Sequence, residues 1–175
     1  GQTEPVLRDL AAEGYLNATH LQYLDGLNTH VYAFRGGAGG RVATYPESSV
    51  AAMRGDLISL LRFRDVYAPG IPVYVSEFGW DSSGGGEDCS FSECVSERAQ
   101  ALYAVRSTLM FARLGVRRAT WFFASNIADE KYNHNSAGVA TLFARSGLTA
   151  SIKQAFTPKK SLLAFEQLVR EVGHL

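Results

Sequence analysis

The chain has 175 residues, 46% of them hydrophobic and 19% charged, with seventeen basic residues against seventeen acidic ones. Such a chain can bury a substantial core, which excludes disordered and fibrous classes. Balanced charge offers no field for nucleic acid or an anionic surface, and no apolar run approaches the roughly 20 residues that span a bilayer, so neither nucleic acid nor a membrane span is expected.

Residues 5–13 place Leu7, Leu10 and Ala11 on one helical face, with Gly14 as a stop. Residues 27–34 predict a strand. Ser48 or Ser49 is placed to cap a second helix carrying Val50, Met53, Leu57, Leu60 and Leu61, which Ala68-Pro69-Gly70 breaks. Residues 71–78 form a β-branched and aromatic run too short for a helix, hence a buried strand. Ser96 can cap a third helix with Leu102, Val105, Leu109 and Ala112 on one face and Gly115 as its stop. Residues 119–124 predict another strand and 160–172 a final amphipathic helix.

Strands alternating with helices predict a parallel sheet covered by helices, because parallel strands need long crossovers and are buried on both faces. The longest irregular stretches, 35–47, 79–95 and 125–159, follow the strands, where α/β folds carry their sites. Gly36-Gly37-Ala38-Gly39-Gly40 matches no phosphate-binding pattern and is expected to form a mobile loop, so a nucleotide-binding doubly wound protein lacks support.

Chemistry concentrates at the strand ends. Glu77 is a single carboxylate terminating an apolar strand, a costly place for a charge unless it is paired with an arginine or used in catalysis. Strict alternation puts it in phase with Val73 and Val75. His30 and Tyr32 share one face near the end of their strand, where a phenol or imidazole can orient a carboxylate and tune its pKa, or serve structure alone. Trp121 offers a flat apolar face for a sugar ring; taken by itself it equally suits a core. Cys89 and Cys94 lie five positions apart in a glycine-rich loop, where they can form a short disulfide or remain free thiols, and too few ligands surround them for zinc. Asn17-Ala18-Thr19 is an N-glycosylation pattern. A disulfide and a sequon together point to a secreted or extracellular protein.

The ordered set His30-Val31-Tyr32, Val75-Ser76-Glu77-Phe78-Gly79-Trp80-Asp81 and Thr120-Trp121-Phe122-Phe123 resembles strands six, seven and eight of clan A glycoside hydrolases. Gly138-Val139-Ala140-Thr141-Leu142-Phe143, followed by 158–165, resembles that clan's approach to its last helix. The resemblance implies that residues 1–175 are the C-terminal part of a single (β/α)8 barrel and that the protein is a retaining β-glycosidase. Glu77 would be the nucleophile, His30 and Tyr32 its partners and sugar contacts, and Trp121 with Trp80 an aromatic binding surface. Such chemistry needs a carbohydrate substrate and no metal or organic cofactor. It also needs a second carboxyl group, about 5–5.5 Å from the first in retaining enzymes. The clan's acid/base follows an asparagine on strand four, and no Asn-Glu pair occurs here. The resemblance gives that role to none of Asp25, Asp81, Asp129 or Glu130. A closed barrel takes about 250 residues, so the N-terminal part, linked or as a cleaved partner, is expected upstream of Gly1. Loss of the acid/base would instead leave a non-catalytic carbohydrate-binding or structural component.

Overall fold

The computed structural model describes residues 3–15, 17–37, 40–82, 93–127 and 143–173. Helix α1 (Thr3–Ala12) and the one-turn helix α2 (Ala18–Leu21) lead into strand β1 (Leu27–His30). Strands β2 (Phe34–Gly37) and β3 (Gly40–Ala43), helix α3 (Ala52–Tyr67) and strand β4 (Val73–Phe78) follow. Helix α4 (Glu97–Arg113), strand β5 (Arg118–Trp121), a 3-10 turn (Ile152–Gln154) and helix α5 (Lys160–Val172) complete the order.

The main sheet is parallel in the order β1-β4-β5, with α3 and α4 as the crossovers that parallel neighbours require. Met53, Leu57, Leu60, Leu61 and Phe63 of α3 pack with Leu27, Val73, Val75, Phe78 and Phe111 in the main core. Each such side chain stabilises the fold by about 1.5–3 kcal/mol when fully buried. Val50, expected on the same stripe, is 68% exposed. Neither Ser48 nor Ser49 caps α3: its N-cap is Ala51, with no side-chain hydrogen bond.

Two further expectations are corrected. The strand predicted over 27–34 ends at His30, and Phe34 begins an antiparallel β2–β3 hairpin rather than a loop. Ser96 does cap α4, its Oγ accepting from Ala99 N at 3.1 Å. The buried stripe of α4, however, is Gln100, Ala104, Ser107 and Phe111, while Leu102 and Leu109 are 54% and 47% exposed. Small and hydrogen-bonded residues take the inner face because α5 packs closely there: Ser161 Oγ donates to Gln100 Oε1 at 3.2 Å.

A bulge in β4 decides which way the candidate site faces. Thr29 lies beside Val75 but His30 lies beside Glu77, so Ser76 has no partner on β1. On the other side Val75 lies beside Ala119 and Phe78 beside Trp121, again one residue out of step. The extra residue resets the side-chain phase. Laterally paired residues of parallel strands point the same way, so Glu77 shares a face with His30, Asn28 and Tyr74. Val73, Val75 and Phe78 face the helices instead. The alternation that grouped Glu77 with Val73 and Val75 therefore does not hold.

Candidate active site

Glu77 stands next to the C-terminal end of the central strand, with its side chain 29% exposed. Tyr32, just past the end of β1, donates its hydroxyl proton to Glu77 Oε2 at 2.9 Å. His30 Nδ1 lies 3.3 Å from the same oxygen, on a side chain that is 50% exposed. Both groups converge on Oε2 and neither engages Oε1, so among the described residues one carboxylate oxygen keeps its lone pairs for a reacting atom. Burial, first, and then the hydrogen bond and negative charge of Glu77 push the Tyr32 phenol far above its ordinary pKa. Tyr32 therefore remains a donor throughout the physiological range.

Aromatic rings extend from this pair in both directions. Tyr32 stacks on Phe34 with centroids 6.1 Å apart, and the Arg41 guanidinium covers Phe34 at 4.7 Å. On the other side Phe143 sits 5.1 Å from Tyr32 and 5.6 Å from Phe122. Gly79 lets the end of β5 approach this closely, since a Cβ there would stand 2.6 Å from Phe122 O. Phe34, Phe122 and Phe143 were absent from the sequence-derived site. Phe122 could have been found by alternation, being one residue out of phase with the helix-facing Trp121, but nothing local signalled Phe143.

The two tryptophans expected to bind sugar lie elsewhere. Trp80 is only 1% exposed, and its Nε1 donates to Thr44 O at 2.9 Å, tying the return of the β2–β3 hairpin to the end of β4. Trp121 shares the face of Phe78 and packs against Phe78 at 5.2 Å and Phe165 at 5.6 Å, on the helix side of the sheet. Its Nε1 donates to Ser146 O at 2.8 Å. Each indole satisfies its N–H inside the fold, which holds both rings in place.

A buried polar layer holds the loops around the site. The carbonyl of Arg145 accepts from Ser82 N and Ser82 Oγ, both at 3.2 Å, from Gln100 Nε2 at 3.3 Å and from Lys159 Nζ at 2.8 Å. Asp81, 2% exposed, accepts from Arg145 N at 2.9 Å, so this carboxylate serves loop closure. The exposed Asp25 precedes β1 and therefore lies at the end of the parallel sheet opposite Glu77. Asp129, Glu130 and the segment 138–142 lie outside the described residues.

Asn17 is exposed and caps α2, its Oδ1 accepting from Thr19 N and His20 N while Nδ2 donates to Gly14 O. Cys94 is buried beside Asp81, and Cys89 lies outside the described residues. Among the described residues no helix is long and apolar enough to cross a membrane, and no three His, Cys, Asp or Glu side chains are grouped to hold a metal ion.

The chain matches no family model and no curated protein. Solved structures do resemble it. A β-glucuronidase from Faecalibacterium prausnitzii is 18% identical, with a TM-score of 0.53 over 90% of this chain and 24% of that one. A monomeric β-xylosidase from Caulobacter crescentus CB15 is 19% identical, with a TM-score of 0.53 over 96% of this chain and 31% of that one. The GH39 enzyme from Xanthomonas axonopodis pv. citri is 16% identical, with a TM-score of 0.54 over 96% of this chain and 30% of that one. The chain thus spans about a quarter to a third of the structures it matches. Its fold is that of the C-terminal portion of a glycosidase-like (β/α)8 barrel.

Proposed function

We propose that this chain carries the nucleophile of a clan A retaining β-glycosidase acting on an oligo- or polysaccharide. The observation that carries the reading is the convergence of Tyr32 and His30 on one oxygen of Glu77 at the C-terminal end of a parallel strand, where barrel enzymes hold their chemistry. Glu77 Oε1 attacks the anomeric carbon as the bond to the leaving oxygen breaks. A second carboxyl group, contributed by the remainder of the barrel, gives that oxygen its proton. Water then attacks the same carbon, the second carboxylate takes the water's proton, and Glu77 leaves as a free carboxylate. Tyr32 holds Oε2 and fixes the carboxylate plane, while the half-buried Phe122 ring, backed by the buried Phe143, supplies an apolar surface for the sugar.

The test is covalent trapping. The complete barrel polypeptide is incubated with aryl 2-deoxy-2-fluoro β-glucoside, β-xyloside and β-glucuronide, and peptides are mapped by mass. A glycosyl adduct on Glu77, absent in Glu77→Gln, is the expected result. Binding of oligosaccharide without turnover or adduct would replace this reading with a carbohydrate-binding protein on a glycosidase-like scaffold. We also propose an extracellular location, with a Cys89–Cys94 disulfide and a glycan on Asn17. A native peptide map showing free thiols and unmodified Asn17 would overturn those assignments.

A further inference from the structure

We propose that Arg41 forms an anion-binding subsite beside Glu77 and that the substrate is an acidic glycan, carrying a carboxylate or sulfate within reach of that guanidinium. The inference deepens the glycosidase reading and rests on it for placing a sugar beside Glu77.

The β2–β3 hairpin sets the direction. Phe34 pairs with Ala43 and Gly36 with Arg41, so alternation puts Phe34, Gly36 and Arg41 on one face of the hairpin and Arg35 and Val42 on the other. The first face is turned to the reaction centre, because Phe34 stacks on the Tyr32 ring and Tyr32 holds Glu77 Oε2. Arg41 reaches back over Phe34, its guanidinium carbon 4.7 Å from the ring centroid. Gly36, its cross-strand partner, leaves the space beside it open: a Cβ there would meet nothing within 4 Å.

Two contacts fix the guanidinium while leaving its fork unused. Nε donates to Glu93 Oε1 at 2.7 Å, on the loop that follows β4, and the Phe34 ring supports the cation. The Arg41 side chain is still 54% exposed, and among the described residues neither of its terminal nitrogens has a partner. Those two amino groups match the oxygen spacing of a carboxylate or sulfate, which they can bind bidentately. The long side chain is already ordered, so less freedom is lost when an anion docks. Charge selects the ligand. Glu77 and Glu93 both repel an anionic sugar, so such a substrate needs a cation on this face, and Arg41 is placed to supply it. A clamp between two loops would account for the Glu93 pair alone and not for an open fork on the side of the reaction centre.

The test reads affinity in the complete barrel polypeptide carrying Glu77→Gln, so that binding is measured without turnover. The probes share one backbone: a tetrasaccharide of alternating glucuronic acid and N-acetylglucosamine, its carboxyl-reduced form, and the carboxyl-reduced form sulfated at O6. Calorimetry is expected to show an anionic form binding at least about tenfold more tightly than the neutral one, and which anionic form prevails tells carboxylate from sulfate. Adding Arg41→Gln should bring that ratio close to unity. A clamp role would weaken all the probes together and leave the ratio where it was. Equal or absent binding of all the probes, or a preference that survives Arg41→Gln, would overturn the proposal. Arg41→Lys gives a second readout should Arg41→Gln fold poorly. It keeps the charge but loses the fork, so the preference should fall at least about threefold; an undiminished preference would count against the subsite. Glycosyl trapping on Glu77 is scored separately: an adduct without anionic preference sinks the subsite alone, and anionic preference without an adduct sinks the nucleophile alone.

Discussion

Tyr32 Oη donates to Glu77 Oε2 at 2.9 Å across 45 positions of sequence, from just past the end of the strand beside the one that carries the carboxylate. A hydrogen bond to a charged group contributes about 1.5–3 kcal/mol. In the complete barrel Tyr32→Phe should therefore lower kcat by roughly 10–150-fold with little change in KM, whereas Glu77→Ala should abolish turnover. Azide added to Glu77→Ala should restore release of an activated aryl leaving group and yield a glycosyl azide of inverted configuration. Loss of turnover without rescue in any azide concentration would argue that Glu77 is not the nucleophile.

The Tyr32 phenol titrates far above its ordinary value, which is about 10. Below that value the folded and unfolded states both hold the proton, and the stabilisation is fully present. Above it the unfolded chain releases the proton while the folded one keeps it, so stability falls as pH rises. Chemical denaturation from pH 8 to 11 should show a steeper alkaline loss for wild type than for Tyr32→Phe. Parallel curves would contradict the assigned environment.

Trp121 and Phe122 are neighbours in sequence with different duties. Trp121→Ala should destabilise the fold by about 3 kcal/mol, as large core truncations do, and should lower the midpoint of thermal unfolding. Phe122→Ala should shift that midpoint less and raise KM for oligosaccharide. Reversed effects in the two variants would return Trp121 to the binding surface.

Gln100 is fully buried, donating to Trp80 O at 2.6 Å and Arg145 O at 3.3 Å while accepting from Ser161. Replacing it with methionine keeps the volume but strands these partners, at a cost of about 1–3 kcal/mol for a buried unsatisfied group. Urea denaturation of Gln100→Met should report a loss in that range. By contrast, the half-exposed Arg41–Glu93 pair, 2.7 Å apart, should contribute no more than about 1 kcal/mol, and less at high salt.

Much of this arrangement was legible in the sequence because it is written in local periodicity. The spacing of Met53, Leu57, Leu60 and Leu61 marks α3, Ser96 marks the start of α4, and the apolar run reaching Glu77 marks the central strand with its carboxylate. Helix periodicity and capping depend on neighbours within about four residues, so a linear pattern suffices.

Facing and contact were decided elsewhere. The bulge at Ser76 exists only in the pairing of β4 with β1 and β5, and it alone turns Glu77 toward His30 and Tyr32. The α4 stripe that is buried was chosen by what α5 brings against it, Ser161 against Gln100, rather than by its own hydrophobicity. Trp80 and Trp121 look alike in sequence to a sugar platform, yet their N–H groups find carbonyl partners inside the fold, while the ring against Tyr32 comes from Phe143, with Phe122 packed on Phe143. Sequence alone determined the elements and the carboxylate at the strand end. Only tertiary structure determined which face each side chain presents, because register and burial are properties of pairs of elements and no single element encodes its partner.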